Sequence, residues 1–341
     1  MKHERKQLSV CAALAGAVMT IGATLTGAVA ADKYRVVYVM SDNLGDKGFN
    51  DSAAAGFKRA EKDFPGVEAK LLQASPSDPQ LWRQNLETVS NDGNYAIIFT
   101  GPGMHDNLAA VAPQHPKQKY VFFDDELKAP NVLSIKYAQN EGSYVAGALA
   151  AIVATDKAVF PKSSGGGKIG LVAGMDIPVI EDFIVGFKQG AATVDPKVEV
   201  QVAFIGNFND AQKAYELTKN VFNGGADIVY NVAGPAGLGI LKAAADAGKY
   251  SIGVDSDQNC LHPESVVASM LKQIGNSIYD SIQLVREDKA PFGTLEIYGL
   301  KNNGVGLVYN DKLVPATVKA RVDDAKAKVL SGAIKVDTAF K

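Results

Sequence analysis

The chain has 341 residues, 47% of them hydrophobic and 21% charged, an ordinary globular composition whose length suits two domains with a core each. Its formal net charge is -2, so no basic footprint argues for nucleic acid as a partner.

The chain starts with a leader. Lys2, Arg5 and Lys6 precede the apolar, small-residue run LSVCAALAGAVMTIGATLTGAVA, which ends in Ala28-Val29-Ala30. This is the pattern of an export signal, residues 1–30, cut after Ala30. A retained membrane anchor is the alternative, but the Ala, Gly and Thr content and the cleavage pattern favour removal. Removal takes three basic groups and Glu4, leaving a charge of about -4. It also takes Cys11, so Cys260 has no partner for an internal disulfide. No later stretch is long and apolar enough to span a bilayer, so the mature chain is expected to be exported and soluble.

The next elements come twice. YRVVYVM reads as a strand, SDNLGDKGFND as a polar turn with Asn50 or Asp51 as N-cap, SAAAGFKRAEKDF as a helix stopped by Pro65-Gly66, and VEAKLLQ as a strand. The later half repeats this order with KIGLVAG, MDIPVIED, FIVGFKQGAATV, a stop at Asp195-Pro196, and VEVQVAFIG. Asp78 then falls opposite Asp210 and Gly101-Pro102 opposite Gly234-Pro235, while KYVFFDDE and KYSIGVDSD each read as a strand ending in acid. The offset stays between 130 and 133, which marks two similarly built halves. Alternating strands and helices predict an α/β fold of two doubly wound parallel-sheet lobes. PATVKARVDDAKAKVLSG reads as a surface helix.

In such sheets ligands bind beyond the carboxyl ends of the strands, so a cleft between the lobes is the expected site. The residues there include Asp42 to Asn50, Gly101 to Asp106, Asp124, Asp125, Met175 to Phe183, Gly234 and Asp255. Phe49 and Phe183 are expected in similar places in the two halves, either stapling helix starts or offering flat faces to a planar ring. Asp124 and Asp255 either cap the next helix or accept from ligand hydroxyls. Lys272, where a strand-like run passes into a helix, is either solvated or a donor to ligand oxygens. Trp82, the only tryptophan, falls in a helix away from the strand ends, which mildly disfavours a sugar pocket.

Other motifs fail. SGGGKIG precedes a strand and lacks the following Ser or Thr of a phosphate loop, AGPAGLG has the wrong spacing for a dinucleotide site, and DSDQNC lacks the Gly and Glu of a calcium loop. The histidines after the leader are His105, His115 and His262, with neither a partner pattern for catalysis nor metal-ligand spacing. The expectation is binding without chemistry, and without metal or cofactor.

The runs DKGFNDSAAAGF, NEGSYVAGALAAIVA, GKIGLVAGMDIPVIEDFIVGF and GVDSDQN followed by SMLK resemble the basic membrane protein (BMP) family of transport receptors, which includes purine nucleoside receptors of the PnrA type. The resemblance spans essentially the whole mature chain. It implies a type I periplasmic-binding-protein fold, with three crossover strands joining the lobes and hinged closure on a small ligand. That ligand would pass to the permease and ATPase of an ABC importer. It also implies a base held between Phe49 and Phe183 and read by Asn50. Asp124 or Asp125, Asp255 and Lys272 would hold the ribose, and Gly234 would approach with its backbone. Gly48 stands where the family's turn carries Ser, and His105 adds a donor near the base. No lipoprotein cleavage motif occurs, implying a free periplasmic receptor, and nothing demands more than a monomer.

The lobes are expected at residues 32–139 plus about 273–290, and 140–257 plus about 291–341. A free nucleobase, a pentose or another small metabolite is the alternative ligand. A nucleoside hydrolase and a sensory receptor are the alternative functions.

Overall fold

The computed structural model describes residues 33–340; the expected leader, its cut after Ala30 and Cys11 lie outside them. The first half runs β1 (Tyr34–Val39), α1 (Phe49–Asp63), β2 (Val67–Leu72), α2 (Pro79–Asp92), β3 (Ile97–Thr100), α3 (His105–Val111), β4 (Tyr120–Phe123) and β5 (Val132–Tyr137). The second runs α4 (Gln139–Thr155), β6 (Lys168–Ala173), α5 (Pro178–Val194), β7 (Glu199–Phe204), α6 (Ala211–Asn223), β8 (Ile228–Val232), α7 (Gly237–Asp246), β9 (Tyr250–Asp255) and β10 (Val266–Lys272). The chain ends with α8 (Ile274–Arg286), β11 (Leu295–Tyr298), β12 (Val305–Tyr309) and α9 (Ala316–Leu330).

The described strands form two six-stranded sheets, ordered β2-β1-β3-β4-β5-β11 and β7-β6-β8-β9-β10-β12. Pairing is parallel except for the antiparallel β10–β12 edge. Helices cover both faces, so the central strands are apolar on both: Val36, Val37, Ile97, Ile98, Ile228 and Val229 are all fully buried. The chain passes between the sheets three times, after Tyr137, after Lys272 and after Tyr298.

The first two crossings each deliver a helix onto the other lobe's leading helix, α4 onto α5 and α8 onto α1. At both contacts the backbones touch through glycine. A Cβ on Gly186 would run into the carbonyl of Asn140, and one on Gly56 into that of Gly275. The repeated GFK phrase is therefore a helix-pair contact where only a hydrogen fits.

Three local expectations are corrected. Helix α1 starts at Phe49, and neither Asn50 nor Asp51 caps it. The Asp46 carboxylate accepts from the N–H groups of Gly48 (3.0 Å), Asn50 (2.7 Å) and Asp51 (3.0 Å), satisfying the orphan donors from outside the helix. Helix α5 starts at Pro178, inside the expected turn, because proline's fixed φ suits a first helical position. The third concerns the segment after residue 291, expected with the second lobe. Its strand β11 pairs in parallel with β5 in the first sheet, satisfying its backbone there before the chain crosses.

Candidate ligand-binding site

A cleft of about 480 Å³ opens where the carboxyl ends of the two sheets face each other. Of the expected residues, Asp42, Phe49, Asn50, Asp124, Met175, Phe183, Gly234, Asp255 and Lys272 all line it. His105 and Asp125 do not. His105 begins α3 with its ring turned to Asp106 (3.3 Å) and toward Phe122. The Asp125 carboxylate accepts from the next backbone N–H, of Glu126, at 2.7 Å, so it serves its own turn.

The floor of the cleft is a buried charge cluster. β10 ends in Lys272, whose ammonium reaches the Asp124 carboxylate at the end of β4, 2.5 Å away, so the pair joins the two sheets. That ammonium also lies 5.1 to 5.5 Å from the ring centres of Phe49, Tyr137 and Phe183, a cage of π faces that favours the cation. Asp124 and Asp255 both hold positive φ, 65° and 67°, a backbone setting in which aspartate is enriched among side-chain-bearing residues. The same bend ends β4 and β9, so the duplication extends to the site's backbone.

Burial pushes the Asp255 carboxyl up to about 7; Lys272 opposes the shift, while Asp46 and Asp124 add to it. Burial also raises the carboxyls of Asp124, Asp46 and Asp42, against the pull of Lys272 on the first and of backbone N–H groups on the others. Beside this cluster, Tyr38 donates to Asn50 Oδ1 at 3.4 Å, which leaves the Asn50 amide N–H groups for a ligand.

The walls differ from expectation. Phe183 does not mirror Phe49. Because α5 begins at Pro178, Phe183 lies more than a turn inside the helix and is 3% exposed, packed near Tyr230. Phe49 is the first residue of α1 and only half-buried. The half-buried aromatic of the second lobe is Phe208, in the loop after β7, seated against Gly174, where any Cβ would strike its ring. Trp82 also lines the cleft, against the expectation that it lay away from the strand ends. It sits in the first turn of α2, its indole N–H donates to the Ser75 carbonyl at 2.8 Å, and its ring lies against Gly103. Ser41, which donates to the Pro102 carbonyl at 2.7 Å, completes this wall.

A more open hollow of about 690 Å³ lies at the opposite ends of the first sheet's strands, lined by Tyr34, Tyr95, Lys119 and Arg286. It contains no acid, and the convergence of buried groups makes the interlobe cleft the site. Among the described residues, no group of three or more His, Cys, Asp or Glu side chains is placed to hold a metal ion, and no helix is long and apolar enough to cross a membrane.

Residues 33–338 match the family Bmp, described as ABC transporter substrate-binding protein PnrA-like. Basic membrane protein A2 of Borrelia garinii subsp. bavariensis is 29% identical over 310 residues, 89% of this chain and 88% of that protein. The ABC transporter nucleoside-binding protein BmpA of Lactococcus lactis subsp. cremoris is 28% identical over 350 aligned positions, covering 96% of each. Among solved structures, a solute-binding protein of an ABC transporter system from Aeropyrum pernix superposes with a TM-score of 0.79 at 25% identity, covering 90% of this chain and 94% of that one. Two doubly wound lobes, three crossings and a cleft at the strand ends are the architecture of periplasmic solute-binding proteins. The chain belongs to the PnrA-like family of ABC transporter substrate-binding proteins.

Proposed function

We propose that the chain is an exported receptor that binds a purine nucleoside between its lobes and passes it to the permease and ATPase of an ABC importer. One observation carries this reading: half-buried aromatic faces and a buried acid–lysine cluster line the same cleft. Phe49, with Phe208 and Trp82, offers flat faces to a base. Asn50 reads the base edge, while Asp124, Asp255 and Lys272 serve the ribose hydroxyls, for which carboxylates are the strongest acceptors. Gly234, at φ 52°, brings main chain to the ligand, and Asp42 and Met175 stand at the rim.

Asp42, Asp46, Asp124 and Asp255 face a single ammonium, so an anionic ligand would meet net repulsion. A neutral nucleoside fits the cleft better than a nucleotide. The relative named as nucleoside-binding supports the same ligand class. Trp82 favours one second reading, a free pentose stacked on its ring.

Thermal melts of refolded protein with adenosine, guanosine, inosine, cytidine, adenine and ribose separate these readings. At about a hundred times its dissociation constant a ligand adds about 2.7 kcal/mol, several degrees of melting temperature. Purine nucleosides are expected to give this shift and ribose none, and Phe49→Ala is expected to weaken the nucleoside about tenfold. A shift with ribose alone overturns the assignment.

A further inference from the structure

Outside the cleft lining, one turn from each lobe meets the other across the gap. Lys47 and Gly48 precede α1 in the first lobe; Ser256 and Gln258 follow β9 in the second. The Ser256 hydroxyl donates to the Lys47 carbonyl at 2.9 Å, and the Gln258 amide donates to the same oxygen at 3.0 Å. Both donors therefore reach across the interlobe gap to one acceptor.

The turn that offers this acceptor is held firmly. Lys47 has φ 51°, its N–H is taken by the Asp51 carboxylate (3.0 Å), and the Asp46 carboxylate binds the next N–H, of Gly48. Gln258 is 2% exposed, and its orientation is fixed from within its own lobe. Its Oε1 accepts from the Val254 N–H at 3.0 Å and the Asn231 amide at 3.3 Å. A main-chain N–H can only donate, so the oxygen must face Val254 and the NH₂ must face Lys47. The next residues along the first turn are Phe49 and Asn50, both in the cleft wall.

We infer that Ser256 and Gln258 are positioning residues that lock the Lys47 turn across the closed cleft and set how long a bound ligand is held. The inference rests on the proposed nucleoside receptor, but the contact itself involves no ligand atom. Ser256 suits the test because, among the described residues, its hydroxyl donates to the Lys47 and Gly48 carbonyls alone, both across the gap. Gln258→Glu, measured at pH 9 so that the buried acid is ionised, keeps the two acceptor bonds inside the lobe and turns an oxygen that cannot donate toward the Lys47 carbonyl.

The experiment is stopped-flow displacement of bound guanosine, followed through Trp82, the only tryptophan of the chain and a cleft residue. One neutral hydrogen bond corresponds to about 3- to 10-fold in rate. Ser256→Ala is expected to speed release by that factor, leaving association and the ligand-free melt unchanged, and Gln258→Glu to speed it more. Unchanged release in both variants overturns the latch. So does a loss of ligand-free stability that accounts for the whole change in affinity, because that is a structural role. Small-angle scattering of the ligand-free proteins keeps the two readings apart. If no nucleoside binds the wild type, the functional reading falls and scattering decides on the latch: a larger radius of gyration in Gln258→Glu supports it, and an unchanged one overturns it.

Discussion

Asp255 shows how one side chain ties the site to the solvent. Its carboxyl is held at about 7 by burial and by Asp46 and Asp124, against the pull of Lys272. The unfolded chain releases this proton near pH 4, the folded chain only near 7, so between those values the folded state binds more protons. Asp255 therefore supports the fold fully below about pH 4, and that support drains away as pH rises through 7. Asp255→Asn keeps the shape, tolerates the positive φ and cannot ionise. Its stability relative to the wild type is expected to climb from pH 4 to 7 by on the order of a few kcal/mol and then level off. Urea unfolding of the ligand-free proteins across that range checks this; a difference independent of pH would contradict the assignment.

Between elements, the glycine contacts decide how the lobes are built. α5 presents Gly186 to the Asn140 carbonyl of α4, as α1 presents Gly56 to that of Gly275 on α8. In each case the obstacle is main chain, which cannot rotate away. Gly186→Ala must push α4 and α5 apart and is expected to cost about 2 kcal/mol or more, read as a lower denaturant midpoint. The sequence repeat showed α1 and α5, since apolar spacing and the stops at Pro65-Gly66 and Asp195-Pro196 mark them. It did not show what its most repeated residue touches, because the partner helix in each half arrives from beyond a crossing. The same limit applies at the site. Acids at the ends of β4 and β9 were legible because strand ends are readable. Trp82 was not, because a helical pattern tells which face is apolar and not that the first turn leans on Gly103. Phe183 was misplaced by a helix that starts at Pro178, earlier than the turn pattern suggested. Phe208 did carry a signal: a lone aromatic in the polar run GNFND, just beyond a strand.

At the scale of the molecule, three chain crossings join the lobes, and Asp124–Lys272 and the Lys47 turn tie them together across the cleft. A ligand that touches both lobes adds to these ties and favours the closed arrangement by its differential contacts. The crossing after Tyr298 explains where local pattern and final architecture part, since β11 pairs with β5, far back along the chain. The proposed role of the closed cleft is to hold one purine nucleoside. Isothermal titration of refolded protein with guanosine, set against ribose, tests it most directly. Saturable one-to-one binding of guanosine, none of ribose, and guanosine recovered intact afterwards are the expected results. Binding of ribose with none of guanosine, or release of free guanine during the titration, would contradict it.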